Sequence, residues 1–367
     1  MNENEARLAS RAVKVGSLIM GGPWPVVVQT MWKDPLPKDL LAQDPRMEDI
    51  LSHMRTLETL GCDLVRFAVP DEVAARSLGE LAKASPMPVV ADIHFDWRLA
   101  LLCLDFPIAK IRINPGNIGE RWKVEDIVHK AKDKGVPIRI GVNAGSFPAD
   151  LRDSIKKGQI DEVEAAIAAA EREIAVLEEL SFSDIVVSIK LNEPNQVVEA
   201  NRLFSSKYSY PLHLGVTEAG PLISGVVRNT AALVPLLKDG IGSTIRVSLS
   251  APMESEVIAA REILGCVDAS TARARIVSCP RCGRASFDTH AFLARWQDRL
   301  YSIEKPISIA VMGCVVNGPG EARNADLGIT GAGNSVLIFQ HGEIITRAAF
   351  EDADKVFAEA LERILAE

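Results

Sequence analysis

The sequence predicts an α/β protein in which a (β/α)₈ barrel, residues 1–265, precedes a small α+β domain, residues 266–367. From about residue 26 to 251, short β-branched runs alternate with amphipathic helical segments. About eight such units fit into this span, which is the number that closes a barrel. Beyond it the alternation stops and a mixed pattern of helices and strands begins.

The candidate barrel strands are short and rich in valine and isoleucine. Many are apolar on both faces, which is typical of parallel strands buried between a core and a layer of helices. They are Val26–Trp32, Leu64–Val69, Val89–Phe95, Ala109–Asn114, Ile138–Asn143, Ile185–Leu191, Leu212–Thr217 and Thr244–Leu249.

Amphipathic segments between these strands are predicted to form the outer helices. They are Met47–Leu60, Asp71–Ala84, Glu120–Lys134, Asp161–Glu179, Pro194–Phe204 and Pro221–Leu237. An open, doubly wound sheet is the alternative arrangement of the same units. It has less support, because no Gly-x-Gly-x-x-Gly turn follows the first strand.

The C-terminal region has a different element order. Two helices are predicted on either side of the first cysteine pair, then three strands and a closing helix. These are Glu254–Leu264, Thr289–Leu300, Ile307–Met312, Leu327–Thr330, Val336–Phe339 and Phe350–Ala366.

Basic side chains recur near the C-terminal ends of the predicted strands, where barrel enzymes gather their chemistry. Each lies in an apolar strand, where an unpaired cation costs free energy. The acids near strand ends are few, namely Asp92, Glu218 and Asp96. We therefore predict an anion pocket for a di- or polyphosphate, since the guanidinium group matches phosphate oxygens bidentately. The cations are Arg66, Arg112, Arg139, Lys190 and Arg246.

Turns and polar residues beside these cations extend the predicted pocket. Asn114-Pro-Gly-Asn117 and Asn143-Ala-Gly can present backbone N–H donors to an anion. Ser248 follows Arg246 by two residues. Glu218 and His94 are ambiguous, because a carboxylate or imidazole at a strand end serves either as an ion-pair partner or as a proton donor.

Three cysteines near the C-terminus form a candidate metal centre. They are Cys279 and Cys282, in a Cys-x-x-Cys pair, and Cys314, in Gly-Cys-Val-Val-Asn-Gly-Pro-Gly-Glu321. Three thiolates leave one coordination position for a weaker ligand or for substrate, as in a catalytic site. Glu321 is a candidate oxygen ligand for that position.

A zinc site is the alternative interpretation of the same cysteines, with His290 or His341 as the fourth ligand. It would suit a phosphate-binding barrel transferase similar to pterin-binding enzymes. The other cysteines, Cys62, Cys103 and Cys266, are expected to be buried thiols. Cys266 is also a rival ligand.

Composition narrows the class of protein. The 367 residues carry 41 basic and 49 acidic side chains, a formal charge of −8, which argues against a general nucleic-acid binder. Six cysteines and an acidic N-terminus without a signal peptide favour the reducing cytoplasm. We expect no membrane span, because no apolar run is long enough.

The motifs as a set resemble the bacterial 4-hydroxy-3-methylbut-2-enyl diphosphate synthases. The resemblance runs nearly end to end and is most specific in the two cysteine motifs. The barrel motifs that carry it are Val-Gln29-Thr-Met, Asp92-Ile-His94-Phe, Lys-Ile-Arg112-Ile-Asn-Pro-Gly-Asn, Arg139-Ile-Gly-Val-Asn-Ala-Gly-Ser and His213-Leu-Gly-Val-Thr-Glu218-Ala-Gly.

The resemblance implies a [4Fe-4S] cluster, with Cys279, Cys282 and Cys314 on three irons and Glu321 on the fourth. It implies reductive ring opening of 2-C-methyl-D-erythritol 2,4-cyclodiphosphate, with flavodoxin or ferredoxin as electron donor. The five cations would bind the diphosphate, Asn114, Asn143, Ser248 and Asn317 would complete the pocket, and Glu218 and Glu321 would be catalytic. It also implies a homodimer in which one chain's cluster domain caps the other's barrel.

Overall fold

The computed structural model describes residues 10–366, apart from the side chains of Ser146 and Glu321. The acidic N-terminal segment, for which the sequence predicts no signal peptide, lies outside the described residues. The chain divides into two compact units, Met1–Val267 and Asp268–Glu367. Within residues 10–366, no helix combines the length and the apolar character that a membrane span requires.

The first unit begins with a hairpin and continues as a parallel barrel. The hairpin strands are β1 (Val13–Val15) and β2 (Leu18–Met20). The barrel strands are β3 (Val27–Met31), β4 (Leu64–Ala68), β5 (Val89–Asp92), β6 (Lys110–Ile113), β7 (Ile138–Asn143), β8 (Ile185–Lys190), β9 (His213–Leu214) and β10 (Thr244–Ile245).

The eight barrel strands pair in the order of the chain and close on themselves. All neighbours from β3 to β8 are parallel, and β10 pairs with both β3 and β9. The gap between β8 and β9 is bridged where the N–H of Val187 donates to the carbonyl of Pro211 at 3.0 Å. The predicted barrel is confirmed, and the open-sheet alternative is wrong.

Strands β9 and β10 end earlier than the sequence predicts. Side chains from the following helices capture backbone groups that a longer ladder would use. The N–H of Val216 donates to Asn229 Oδ1 at 3.3 Å, and the N–H of Leu249 donates to Glu256 Oε1 at 3.0 Å. The chain after each strand is therefore free to turn into a loop.

Helices follow the strands and supply the outer layer. They are α1 (Pro45–Thr59), α2 (Glu72–Ala84), α3 (Trp97–Cys103), α4 (Pro115–Ile118), α5 (Arg121–Lys134), α6 (Ala149–Lys156), α7 (Glu162–Glu179), α8 (Pro194–Lys207), α9 (Leu222–Lys238) and α10 (Met253–Val267). The sequence patterns did not predict α3, α4 and α6, which are too short to show a clear amphipathic period.

The β1–β2 hairpin lies against the N-terminal part of the barrel interior. Val13, Val15 and Met20 are buried against Val27 and Leu64, at the start of β3 and β4. This apolar layer fills the end of the barrel opposite to the C-terminal strand ends. One basic side chain reaches this layer: Lys110, at the start of β6, is fully buried, and its Nζ lies 3.5 Å from Met20 Sδ.

The second unit is a five-stranded mixed sheet with two helices. Its elements are β11 (Arg275–Ser278), α11 (Thr289–Tyr301), β12 (Ser308–Met312), β13 (Leu327–Ala332), β14 (Ser335–Gln340), β15 (Glu343–Ala349) and α12 (Ala353–Ala366). The strands lie in sequence order, and the first three are parallel. Phe292 and Phe357 bring both helices onto one core. The sequence patterns missed the edge strands β11 and β15, whose side chains are mostly exposed.

Candidate functional site

Strand register places oppositely charged side chains side by side inside the barrel. Asp92 on β5 pairs in register with Arg112 on β6, and Arg112 pairs with Arg139 on β7. Arg112 Nη1 lies 3.2 Å from Asp92 Oδ1, and Arg66 Nε lies 3.5 Å from Asp92 Oδ2. Asp92 thus joins two of the predicted phosphate-binding arginines.

The charges around Asp92 keep it ionised. Burial acts to raise the pKa of the Asp92 carboxyl, but a hydrogen bond from His94 and the nearby guanidinium groups outweigh it and lower that pKa below its usual range. His94 is half exposed, and both of its ring nitrogens lie within 3.1 Å of Arg112 Nη1. His94 therefore lies at the solvent side of the ion-pair network.

A second buried carboxylate, Glu256, supports the opposite side of the site. It projects from α10, and Arg246 Nη2 lies 3.4 Å from its Oε1. Thr30 Oγ1 donates to its Oε2 at 2.7 Å, and Lys33 Nζ lies 3.2 Å from Oε1. Glu256 is 1% exposed, so its charge is fully engaged by these donors. It anchors Arg246 as Asp92 anchors Arg112.

Arg139 and Lys190 are buried cations with weaker compensation. They are 2% and 7% exposed. Burial and then repulsion from neighbouring cations lower the pKa of both groups well below its ordinary value. Arg139 Nε and Nη2 have no hydrogen-bond partner among the described residues. Such groups are suited to bind an anion, because unpaired buried donors are costly.

The five predicted cations are brought together. Burial is the main cause of the lowered pKa of Arg66, which falls to about 10. The nearby charges of Arg246 and Arg112 also lower it. Arg246 and Arg139 act in the same way on Lys190. Two further lysines join them: Lys33 lies 3.2 Å from Glu256 Oε1, and Lys110 is fully buried and repelled by Arg139 and Arg66. The described cluster therefore contains seven basic side chains against two buried carboxylates, Asp92 and Glu256.

The predicted polar residues lie at the same ends of the strands. Asn114 directly follows β6 and is buried, and its Oδ1 has no hydrogen-bond partner among the described residues. Asn143 is the last residue of β7 and is half-buried, as is Ser248 beyond β10. The structure therefore places all three near the cations that they accompany in sequence.

The other two strand-end acids have different surroundings. Asp96 is outside the ion-pair network and caps α3, where its side chain accepts the N–H of Arg98 at 2.9 Å. Glu218 is exposed, and Asn192 Nδ2 donates to its Oε2 at 3.4 Å. Its backbone is left-handed, with φ of 54°, which is strained for a residue other than glycine.

Two of the cysteines of the second unit lie at the same edge of its sheet. β11 and β12 are parallel, with Ser278 opposite Val311, so Cys279 and Cys314 follow the C-terminal ends of neighbouring strands. The N–H of Gly313 donates to Cys279 Sγ at 3.1 Å. A Cβ atom at Gly313 would lie 2.9 Å from Ala285 Cβ, so only glycine allows this approach.

Cys282 and Cys314 differ in exposure and acidity. Cys282 is exposed and Cys314 is buried. The N–H of Asn317 is the main cause of a lowered pKa for Cys314, with a smaller effect from the guanidinium of Arg284. Asn317 Oδ1 lies 3.5 Å from Cys314 Sγ. The backbone of Asn317 thus stabilises the thiolate, and the place of its side chain in the substrate pocket stays a prediction.

The donor set of this edge fits an iron–sulfur cluster. Among the described side chains, no group of three or more His, Cys, Asp and Glu converges on a single metal-ion position. A [4Fe-4S] cluster takes its thiolates on different irons, so the ligands surround a bulky group instead of meeting at one point. Thiolates at strand ends beside small residues suit that requirement. The Glu321 side chain, the candidate fourth ligand, lies outside the described part.

The remaining cysteines separate into two kinds. Cys62 and Cys103 are buried in the barrel unit, where burial raises the pKa of each thiol to about 12 and keeps it protonated. They are therefore poor metal ligands. The expectation that Cys266 is buried is wrong, because it lies on α10 with its side chain exposed.

Several polar residues of the barrel interior were not predicted from the sequence. Glu256 is on a helix, where a glutamate ordinarily indicates an exposed face, and the sequence carries no signal of its burial. His213 is fully buried, and burial is the main cause of its strongly lowered pKa. Gln29 is 1% exposed, and neither polar atom of its amide has a partner among the described residues. Gln29 and His213 lie within predicted strands, and that position indicated their burial.

Each of the two units matches a model of a known protein family. A family model described as the GcpE TIM-barrel domain matches residues 10–261. A second, described as the GcpE protein C-terminal domain, matches residues 275–363. The two models correspond to the barrel and to the mixed sheet that carries the cysteines.

Similar proteins span nearly the whole chain. A relative from Treponema denticola is 50% identical over 377 residues, 96% of each chain. One from Symbiobacterium thermophilum is 42% identical over 361 residues, 98% of this chain and 95% of its own. Both are named 4-hydroxy-3-methylbut-2-en-1-yl diphosphate synthase (flavodoxin).

Similarity to solved structures is weaker. A 3-dehydroquinate dehydratase from Geobacillus kaustophilus is 15% identical with a TM-score of 0.49, over 71% of this chain and 98% of its own. A TM-score below 0.5 supports no argument about function. The family models cover most of both units and the relatives align end to end, so the chain belongs to the GcpE family.

Proposed function

We propose that the chain catalyses the reductive ring opening of 2-C-methyl-D-erythritol 2,4-cyclodiphosphate to 4-hydroxy-3-methylbut-2-enyl diphosphate. The reaction consumes two electrons and releases water, and flavodoxin is the electron donor. The names of the relatives support this activity. The structural observation that carries the proposal is the surplus of basic groups in the barrel, since among the described residues two buried carboxylates face seven basic side chains, Lys33 and Lys110 included.

The barrel cations are assigned to the diphosphate of the substrate. Arg139 and Lys190 gain most from an anion, because repulsion from their neighbours destabilises their charged forms. Arg112 and Arg246 are held by Asp92 and Glu256, which fixes the direction of each guanidinium before substrate binds. Arg66 completes the cation set, and Asn114, Asn143 and Ser248 supply further hydrogen bonds.

Glu218 is assigned as a proton donor for the departing oxygen. Loss of water requires a proton at the hydroxyl oxygen that leaves. The strained backbone of Glu218 is an indication of function, because strain of this kind persists where a side chain must be aimed. Asn192 Nδ2 orients the carboxyl group from the neighbouring loop.

Cys279, Cys282 and Cys314 are assigned to hold a [4Fe-4S] cluster, with Glu321 as the displaceable fourth ligand. When bound, such a cluster supplies electrons one at a time and offers one exchangeable coordination position. The chain's own part is to stabilise the thiolates, through the N–H of Gly313 at Cys279 and the N–H of Asn317 at Cys314. Mössbauer spectra of Glu321→Gln test its role, since only a change confined to one iron supports it.

The chain is also assigned as a homodimer in which the cluster domain of one chain serves the barrel of the other. The family resemblance supports this arrangement. A zinc-containing, pterin-binding-like transferase is the alternative function. It is not favoured, because relatives that align over the whole chain are named as the diphosphate synthase.

Product formation tests the proposed activity. The protein, purified without oxygen, is mixed with reduced flavodoxin and the cyclic diphosphate, and ³¹P NMR follows the products. We expect conversion to the linear diphosphate only when flavodoxin is reduced. Zinc in place of iron and sulfide, or intact cyclic substrate after prolonged incubation, would contradict the proposal.

A further inference from the structure

A glutamate on an outer helix reaches into the turn that follows β6. Glu173 lies on α7, and both of its carboxylate oxygens accept the N–H of Gly116, at 3.1 Å and 3.0 Å. Gly116 belongs to the Asn114–Asn117 turn, which directly follows the strand that carries Arg112. Glu173 therefore joins the helix layer to the candidate substrate pocket.

This contact replaces a bond that the turn would ordinarily make for itself. Asn114 is the N-cap residue of α4, and an N-cap asparagine usually accepts a backbone N–H of the first turn with its own side chain. Here Asn114 makes no capping hydrogen bond. Glu173 accepts the N–H of Gly116, while Asn114 Oδ1 is buried without a partner among the described residues.

The fit between the carboxylate and the turn is close. A Cβ atom at position 116 would lie 2.8 Å from Glu173 Oε1, so a larger residue there would displace the carboxylate. Burial raises the pKa of Glu173 to about 7, while the Gly116 N–H and the charge of Arg112 act in the opposite direction. The neighbouring Arg172 turns away and pairs with Asp150 at 2.7 Å. Glu173 is thus directed at the turn and stands within electrostatic reach of Arg112.

We propose that Glu173 is a positioning residue of the substrate pocket, which caps the Asn114–Asn117 turn in place of Asn114 and so leaves the Asn114 amide available to the substrate. This inference rests on the proposed function, because it takes the cyclic diphosphate as the ligand of Asn114. Glu173 acts through Asn114 and does not itself touch the substrate.

Binding measurements on the cluster-loaded enzyme test the inference. Glu173→Ala frees the turn, and we expect the Kd for the cyclic diphosphate to rise about fivefold to tenfold, the effect of losing a hydrogen bond from a substrate hydroxyl to the acceptor Asn114 Oδ1. Glu173→Gln keeps an acceptor oxygen and is expected to stay within about threefold of wild type. Glu179→Ala is the matched control. Glu179 lies on the same helix as Glu173, and its carboxylate pairs with Arg121 at an exposed position.

A double-mutant cycle separates positioning from a general loss of structure. If Glu173 acts through Asn114, Glu173→Ala adds little to the effect of Asn114→Ala on substrate Kd. Full additivity of the two effects, or a wild-type Kd for Glu173→Ala, would overturn the inference.

Hydrogen exchange gives a reading that does not depend on the substrate. Amide exchange in residues 113–118 is expected to accelerate in Glu173→Ala and to stay near the wild-type rate in Glu173→Gln. Wild-type exchange in Glu173→Ala would refute the capping role. Failure of the wild-type enzyme to bind the cyclic diphosphate, with this exchange difference intact, would instead refute the proposed function and the ligand assigned to Asn114.

Discussion

Arg112 Nη1 and Asp92 Oδ1 lie 3.2 Å apart on neighbouring strands, and both residues are almost fully buried. The pair sets the direction of the arginine before any ligand arrives. It also keeps the negative charge of Asp92 among the cations of the barrel interior. The stability of the barrel and the shape of the proposed anion pocket therefore depend on the same carboxylate.

Removal of that carboxylate is expected to destabilise the substrate-free protein. Asp92→Asn leaves Arg112 and Arg66 without their shared partner, and breaking a buried ion pair from one side typically costs about 3–5 kcal/mol. Chemical denaturation of the barrel unit at pH 7 measures the change. Asp150→Asn, which removes an exposed partner of Arg172, is the control and is expected to have little effect.

The difference in stability between wild type and Asp92→Asn is expected to change with pH in one direction only. The folded pKa of Asp92 is lowered, so its contribution to stability is present above the unfolded value of about 3.9 and is lost as the pH falls below it. The difference in unfolding free energy between wild type and Asp92→Asn is expected to be constant from about pH 5 to 7 and to shrink below about pH 4. A difference that grows on acidification would contradict the pairing.

Loss of a cation is expected to weaken substrate binding without removing the cluster. Arg112→Ala and Arg246→Ala each delete a charge-assisted contact worth about 1.5–3 kcal/mol, roughly tenfold or more in affinity. Calorimetric titration with the cyclic diphosphate and iron analysis check both parts. Arg202→Ala, on the outer helix α8, is the control. Unchanged affinity in both variants would remove these residues from the pocket.

The cysteines are expected to divide sharply in their effect on the cluster. Cys279→Ser, Cys282→Ser and Cys314→Ser should each lose iron and sulfide together with activity. Cys62→Ser and Cys103→Ser should retain both, since their buried, protonated thiols are unsuited to bind iron. Cys266→Ser tests the rival ligand, an exposed thiol. Full iron content in Cys314→Ser would contradict the assignment.

The sequence predicted the barrel because its strands carry their own signal. Ile138, Ile140 and Val142 form an apolar face of the predicted strand Ile138–Asn143, and the structure has the strand with the same bounds. The cations were identifiable because Arg112 and Arg139 interrupt such apolar runs. Strand register then brings them together. In a parallel barrel the C-terminal ends of all strands lie at the same end, so this proximity could be predicted from the sequence.

The carboxylates that support the cations could not be predicted in the same way. Glu256 and Glu173 lie on helices, where glutamate is common and ordinarily solvated. Their burial depends on the distance between each helix and a particular strand end, which no periodic pattern records. The ends of β9 and β10 were misjudged for the same reason, because Asn229 and Glu256 reach backbone groups from distant positions in the chain.

Mixing two inactive variants tests the proposed dimer. Glu218→Gln disables the barrel and Cys314→Ser disables the cluster domain. If each active site combines the barrel of one chain with the cluster of the other, a mixed dimer has one site with neither defect. Random pairing gives mixed dimers in about half of the molecules, so about a quarter of wild-type activity is expected.

The control for that experiment pairs two variants of the same unit. Cys279→Ser with Cys314→Ser places both defects in the cluster domain, so every site of a mixed dimer lacks one of the two cysteines. We expect no recovery of activity in this mixture. Sedimentation establishes that subunits have exchanged, by the appearance of dimers that carry a mass tag on one chain only. Exchanged dimers of Glu218→Gln and Cys314→Ser without activity would show that each chain completes its own site.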